Sequence, residues 1–356
     1  MSWDVDLCIA AHDDARPIRR AVESVLDHTS ARVRVSVVAH NIDPARIAAS
    51  IGDLADHPAV RVLSLQDGIR SPAGPFNAGL DAAEAEFTAV MGSDDSLAPG
   101  AIDAWLARAR REDADVVIAR LRHAAGGFIA TPPVRPLRTR SLDPVRDRLS
   151  YRSAPLGLVR RRRFGDVRFA EGVAVGEDVS YVTALWFSGA RLSYAHGDPA
   201  YLVHDDAVER TTLSTRPVRA ELAFITHLLA SPTVIALPAA ARTAIAVKLL
   251  RVHVFGVIVN RPDAAWWTVD EREALAEIAS TVRGTGDVDA SLSRNDLRLC
   301  AIIADPATGP NALFDASAAR RRFAHPDSIR TARLTDLLRR DAPLRYAIAT
   351  VVQTRG

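Results

Sequence analysis

The feature that most constrains this chain is the alternation, through its first 120 residues, of short apolar runs with amphipathic helical patterns. Val5 to Ala11 is an apolar strand, after which Ile18, Val22, Val25 and Leu26 recur at helical spacing. Val33 to Ala39, Val60 to Leu65, Phe87 to Met91 and Val116 to Ala119 predict further strands, and Ala101 to Arg110 a helix. Strands alternating with helices imply right-handed crossovers and a mainly parallel sheet covered on both faces. Ligands of such a sheet sit beyond the carboxyl ends of its strands, so chemistry is expected just after Ala11, Ala39, Leu65 and Met91.

From Leu121 to Ser150 the pattern fades into an irregular hairpin rich in Gly, Pro and Arg. Pro155 to Phe164 reads as helical. After about residue 215 the strand signals vanish, and Val218 to Leu229, Ala239 to Val259, Val269 to Val282 and Leu334 to Arg340 read as helices. The expected division is therefore an α/β domain over residues 1–214 and a helical region over 215–356.

Charge narrows the function classes. The 45 Lys+Arg residues nearly balance 43 Asp+Glu, for a formal net charge of +2, so a broad basic face for nucleic acid is not expected. Only one of the 45 cations, Lys248, is a lysine, which points either to coding bias or to selection of the guanidinium fork for anions. The most apolar stretch, Thr233 to Asn260, is interrupted by Arg242, Lys248, Arg251 and His253, whereas a membrane span needs roughly 20 nearly uncharged residues. Two widely spaced cysteines, Cys8 and Cys300, and the lack of a leader pattern predict a reducing, cytoplasmic setting.

Two segments carry candidate chemistry. Gly92-Ser93-Asp94-Asp95 follows a buried strand and precedes a Pro-started helix, placing paired carboxylates where hard oxygen ligands can hold Mg²⁺ or Mn²⁺ against a phosphate; a plain Asx turn explains the same residues. A loop of small residues, Ser71 to Leu80, lies upstream and can admit a ligand at a helix start. Glu177 and Asp178 stand at the front of an apolar helical run containing Val179, Val182, Leu185 and Trp186. Asp178 reads either as an N-terminal helix charge or as a carboxylate base for a hydroxyl proton.

Taken in order, these segments resemble the family 2 glycosyltransferases of the GT-A fold, a Rossmann-like mixed sheet with helices on both faces. The resemblance covers roughly residues 5 to 212 and rests on five matches: Ile9 to Asp14 with its following helix, Phe76-Asn77-Ala78-Gly79-Leu80, Gly92-Ser93-Asp94-Asp95, Arg168 to Asp178, and Tyr201 to Val208. It implies inverting transfer of a sugar from a nucleotide-diphosphate donor, a UDP-sugar foremost, to a glycan or glycopolymer acceptor. Asp178, with Glu177, would be the catalytic base. Asp94, Asp95 and His204 would hold Mn²⁺ or Mg²⁺. Ala11, His12, Asp13, Asn41, Asn77, Gly79, Ser93, Asp94 and Gly157 would contact the donor. Gly92, Ala39-His40-Asn41-Ile42-Asp43 and Phe76 depart from the family pattern, which keeps open a non-catalytic nucleotide-sugar binding module.

The remaining candidates have plain readings as well. His12 and His204 serve equally as turn or capping residues. Trp105, Trp186, Trp266 and Trp267 fit core packing, with Trp186 near enough to Asp178 to border an acceptor pocket. Arg160 to Arg163 and Arg320 to Arg322 read as solvated helix faces or as contacts to an anionic acceptor or membrane surface. The helical region itself is expected to serve the acceptor, peripheral membrane docking or homo-oligomerisation.

Overall fold

A computed structural model of the chain describes residues 2–173, 175–206, 216–322 and 325–354. Eleven strands are formed among them: β1 Val5–Ala11, β2 Val33–His40, β3 Val60–Leu65, β4 Phe87–Gly92, β5 Ser96–Leu97, β6 Val116–Ile118, β7 Leu121–His123, β8 Phe128–Ile129, β9 Gly157–Arg160, β10 Leu192–Tyr194 and β11 Tyr201–Val203. Seven of these form one sheet in the order β10-β6-β9-β4-β1-β2-β3, and β5-β11-β7-β8 form a second. In the large sheet β1 is parallel to both β2 and β4, while β9 runs antiparallel between β4 and β6. The α/β class expected from the alternating pattern is therefore the one observed.

Helices α1 Ile18–Leu26, α2 Pro44–Ile51, α3 Ala73–Asp81 and α4 Ala101–Glu112 cover the sheet. In α1 the residues Ile18, Ala21, Val22 and Val25 are fully buried, and each large aliphatic among them contributes roughly 1.5–3 kcal/mol relative to exposure. Asp6, a carboxylate inside β1, is tolerated because Arg34 grips it with two nitrogens at 2.6 and 3.0 Å and the Glu84 and Ala85 amides donate to it.

The segment Pro155 to Phe164 is not a helix. It forms β9 and then the single turn α5 Arg161–Phe164. Buried between two strands, β9 lacks the alternation that marks a half-exposed strand, and its arginines mimic a solvent face. Arg160 is buried and reaches Glu86 (2.6 Å) and the Ala114 carbonyl, whereas Arg161, Arg162 and Arg163 are exposed as a solvated face would be, Arg161 also donating to the Ala85 and Glu84 carbonyls and Arg163 to Asp115 and the Ser188 carbonyl. Arg320 likewise pairs with Asp296 at 2.8 Å and lies over the Phe255 ring.

Helix α6 Glu177–Trp186 joins the sheet to the helical region, which comprises α7 Val218–Glu221, α8 Ala223–Leu229, α9 Pro232–Ile235, α10 Ala239–Lys248, α11 Phe255–Val259, α12 Val269–Arg283, α13 Arg294–Ile303, α14 Pro310–Arg320, α15 Pro326–Ile329 and α16 Pro343–Thr354. Leu249–Val254, between α10 and α11, is a π-helical segment of one long helix. Val218 to Leu229 breaks into two helices, and of Leu334 to Arg340 only the 3₁₀ turn Leu334–Asp336 is helical. Helices α13, α14 and α16 had no expectation in the sequence. The division expected at 214/215, like Ala174, Ala207 and Val208, lies outside the described residues. No described helix is long and apolar enough to cross a membrane.

Gly157 has φ +132°, and a Cβ there would come within 2.0 Å of the Val117 carbonyl oxygen. Because that oxygen belongs to the neighbouring strand and cannot retreat, Gly157→Ala is expected to cost about 3 kcal/mol or more. Gly256→Ala, in a helix with open space around it, is expected to change stability by less than about 1 kcal/mol. Denaturant midpoints of the two variants check the contrast.

Candidate functional site

Chain order places the switch point of the large sheet between β1 and β4, so the crevice beyond their carboxyl ends is the default ligand site. The residues after both strands meet there. Ala11 is buried at the end of β1, His12 is exposed, and Asp13 turns the chain by accepting the Ala15 amide at 2.9 Å. Arg16 then reaches across to the Ser93 hydroxyl (3.4 Å) and the Asp94 carboxylate (3.3 Å), and Arg20 donates to the Asp94 carbonyl and to Asp206.

The two adjacent aspartates have different surroundings. Asp95 accepts the Tyr201 hydroxyl at 2.6 Å and the His204 amide at 3.1 Å, while Tyr201 accepts the Gly92 amide. Burial pushes the Asp95 carboxyl above its ordinary pKa, more than these bonds lower it. The His204 ring lies 2.8 Å from the Ser96 hydroxyl. Asp95 and His204 thus fasten the turn to β11, whereas Asp94, 16% exposed, faces Arg16 and the crevice. Among the described residues, no three His, Cys, Asp or Glu side chains group to hold a metal ion. A Cβ on Gly92 would lie 2.9 Å from Asp95 and 3.0 Å from Asp94, so an aspartate at this position would add its carboxylate to this pair.

The other candidates are spread around this edge. Asn41, at φ 56°, accepts the Asp67 and Gly68 amides and donates to Asp67, organising the loop after β3; His40 contacts the same Asp67 at 2.8 Å. Asn77 is buried and clamps the segment before α6, donating to the Phe169 carbonyl and Glu171 and accepting the Phe169 amide at 2.8 Å. Gly79 lies against β1, where a Cβ would come 2.1 Å from the Cys8 sulfur. Gly157 sits in the sheet opposite Ile118. Trp186 belongs to the core and donates to the Arg152 carbonyl.

Glu177 and Asp178 form the first turn of α6, after Gly176 at φ +78°. They line a cavity of ≈ 400 Å³ with Pro72 and Ser153 on one side and residues of the helical region, including Glu221, Phe224, His253 and Asn260, on the other. Burial, then the charge of Glu177, pushes the Asp178 carboxyl upward, partly offset by the attraction of Lys248. Burial raises Glu177 too. Lys248 and His253 were not anticipated; a single lysine in an apolar helix, with a histidine five residues on, was the available signal. A cavity of ≈ 510 Å³ beside β10, lined by Arg111, Glu112, Arg140 and Arg191, holds none of the candidate residues.

Comparison with known proteins agrees with this geometry. Residues 6–165 match the family model "Glycosyl transferase family 2". The succinoglycan biosynthesis protein ExoO of Rhizobium meliloti (strain 1021) is 29% identical over 217 residues, spanning 56% of this chain and 60% of that protein. Among solved structures, S. aureus TarS 1-349 in complex with UDP-GlcNAc superposes with a TM-score of 0.73 at 15% identity, over 90% of this chain and 92% of that one. The UDP complex of the same protein gives 0.66 at 15% identity, over 90% and 91%. Residues 6–165 are thus similar to the family 2 glycosyltransferases, and the sheet with its switch-point crevice has the fold seen in TarS.

Proposed function

We propose that this protein transfers a sugar, with inversion, from a nucleotide-diphosphate donor to a hydroxyl of a glycan or glycopolymer in cell-surface polysaccharide synthesis. The observation that carries the reading is the placement of Asp178: a carboxylate at a helix start, in a cavity, with its pKa raised toward the range where a base works at neutral pH. The donor, a UDP-sugar first among those to try, would lie over the carboxyl ends of β1 and β4, near His12, Asp13, Ser93 and Asp94. The acceptor would enter from the helical side, and residues 215–356 are assigned to acceptor binding because their helices form one wall of the cavity. Asp178 takes the acceptor proton as that oxygen bonds to the anomeric carbon and the nucleotide diphosphate leaves from the opposite face. Two unpaired, buried cysteines suit a cytoplasmic setting.

The turn after β4 suits Mg²⁺ or Mn²⁺ bound through one or two carboxylates, with substrate phosphates and water completing the shell. Asp94 would hold the ion and Asp95 and His204 would support the turn that presents it. A bound ion supplies a Lewis acid that offsets charge on the departing diphosphate. Arg16 against Asp94 and the missing carboxylate at Gly92 favour a second reading, a module that binds nucleotide sugars without catalysis.

The experiment is a donor panel with Mn²⁺, following nucleotide diphosphate release. Asp178→Asn is expected to lower turnover by about 10²–10⁴-fold while donor affinity, measured calorimetrically, stays within a few-fold. Asp94→Ala is expected to weaken donor binding only in the presence of Mn²⁺. Turnover surviving Asp178→Asn would remove the assigned base, and donor binding without release for any donor would support the second reading. Because the base must be ionised and its pKa is raised, kcat/KM is expected to climb with pH along an acid limb above the ordinary carboxylate range.

A further inference from the structure

Lys248 is the single lysine among 45 cationic residues, and it is buried, 1% exposed, in the helix that faces the Asp178 cavity. Its ammonium lies 2.7 Å from Nε2 of His253, five residues later in the same helix. In a regular α-helix, residues five apart point roughly 140° away from each other at ~100° per residue, so the two side chains would not meet. They meet because Leu249–Val254 is π-helical, with bonds from i to i+5 that bring such positions onto one face. An ammonium has three donors and no acceptor, so Nε2 of His253 accepts and the ring is neutral. The ring is itself fixed edge-on against Phe224, 4.9 Å away, and Phe224 abuts Gly176, where a Cβ would come 2.6 Å from the ring. Gly176 is the residue immediately before Glu177 and Asp178.

We propose that Lys248 and His253, brought together by the π-helical segment, are positioning residues that hold one positive charge behind Asp178 and so keep it ionised to accept the acceptor proton. The proposal rests on Asp178 being the base. The charged and titratable groups around Asp178 are Glu177 on its own helix, His253 and Glu221 on the cavity wall, the latter met by Arg261, and Lys248, which lies behind His253 and interacts electrostatically with Asp178. Glu177 opposes ionisation of Asp178, Glu221 is neutralised by its partner, and Lys248 is the group that favours it. Lysine suits the place better than arginine, because a compact ammonium needs fewer acceptors than a five-donor guanidinium in a pocket that offers one ring nitrogen. Burial depresses the Lys248 pKa, and His253 contributes an acceptor that stabilises the charged form against it.

The test is the kcat/KM–pH profile of the full chain, with nucleotide diphosphate release as readout, for Lys248→Met, Lys248→Arg, His253→Leu and His253→Gln, each checked by thermal melting. Loss of the charge is expected to move the acid limb of Lys248→Met upward by about one pH unit or more, about a fivefold loss at the old midpoint and about tenfold well below it, with donor KM within about twofold. His253→Leu is expected to move it the same way and His253→Gln, which retains an acceptor, to restore it; this pair decides the matter if Lys248→Met does not fold. Lys248→Arg is expected to hold the limb within about half a unit of the native one. A limb unmoved in folded Lys248→Met, or in both His253 variants, overturns the proposal, as does a loss of rate equal at every pH. Asp178→Asn is run in parallel: if it retains turnover, the reading of Asp178 as base fails, whereas an inactive Asp178→Asn with unmoved limbs sinks this proposal alone.

Discussion

Helix α6 is gripped by two apolar cores at once, and the rest of the site depends on this. Val179, with Val173 just before the helix, packs among α7, α8, α10 and α11, while Tyr181, Val182, Leu185 and Trp186 pack beneath the large sheet. A helix start shared in this way cannot shift toward one layer without opening the other, since interiors packed to crystal-like density leave no slack. The cavity at Asp178 opens at this shared helix start, with Pro72 and Ser153 and residues of the helical region in its lining.

The small-residue motif on α3 serves this seating. Asn77 clamps both sides of the Phe169 peptide, Phe76 lies 5.2 Å from the Phe169 ring, and Phe169 stacks on Tyr181 of α6 at 4.4 Å. Gly79 lets α3 approach β1 against Cys8. The chain of contacts thus runs from the strand that ends in Ala11 to the helix that carries Asp178 in its first turn. On the other edge, Asp95 and Asp94 show how neighbours in sequence acquire different tasks: one carboxylate is consumed by Tyr201 and His204, and the other is left to face the crevice.

The strands and helices of the first 120 residues were legible because parallel strands buried on both faces read as apolar runs and their helices as periodic ones. The same pattern placed Asp94 at a strand end and Asp178 at a helix start, where the structure has them. Strand β9 was not legible: its pairing partners are distant in sequence, and its terminal Arg160 binds Glu86 and the Ala114 carbonyl, which no local pattern reveals. The Lys248–His253 contact was hidden for a different reason, since it requires a helical period that sequence templates do not include. Nor could composition distinguish coding bias from anion binding in the arginine excess. Arg152, buried and donating to the carbonyls of Thr131, Ala119, Ala154 and Leu156, shows a third use: saturating main-chain acceptors where irregular segments meet.

Arginines of this kind also tie residues 340–353 to both the α/β part and the long helix. Arg120 donates to the Gln353 carbonyl, Arg148 to that of Arg340, and Arg251 to that of Asp341, with Tyr151 against Tyr346 between them. Each bond contributes about 1 kcal/mol, and Arg148 makes two of them to the same carbonyl. These bonds couple the two layers: loss of order in one leaves buried polar groups of the other without their partners, so unfolding of either lowers the stability of its neighbour.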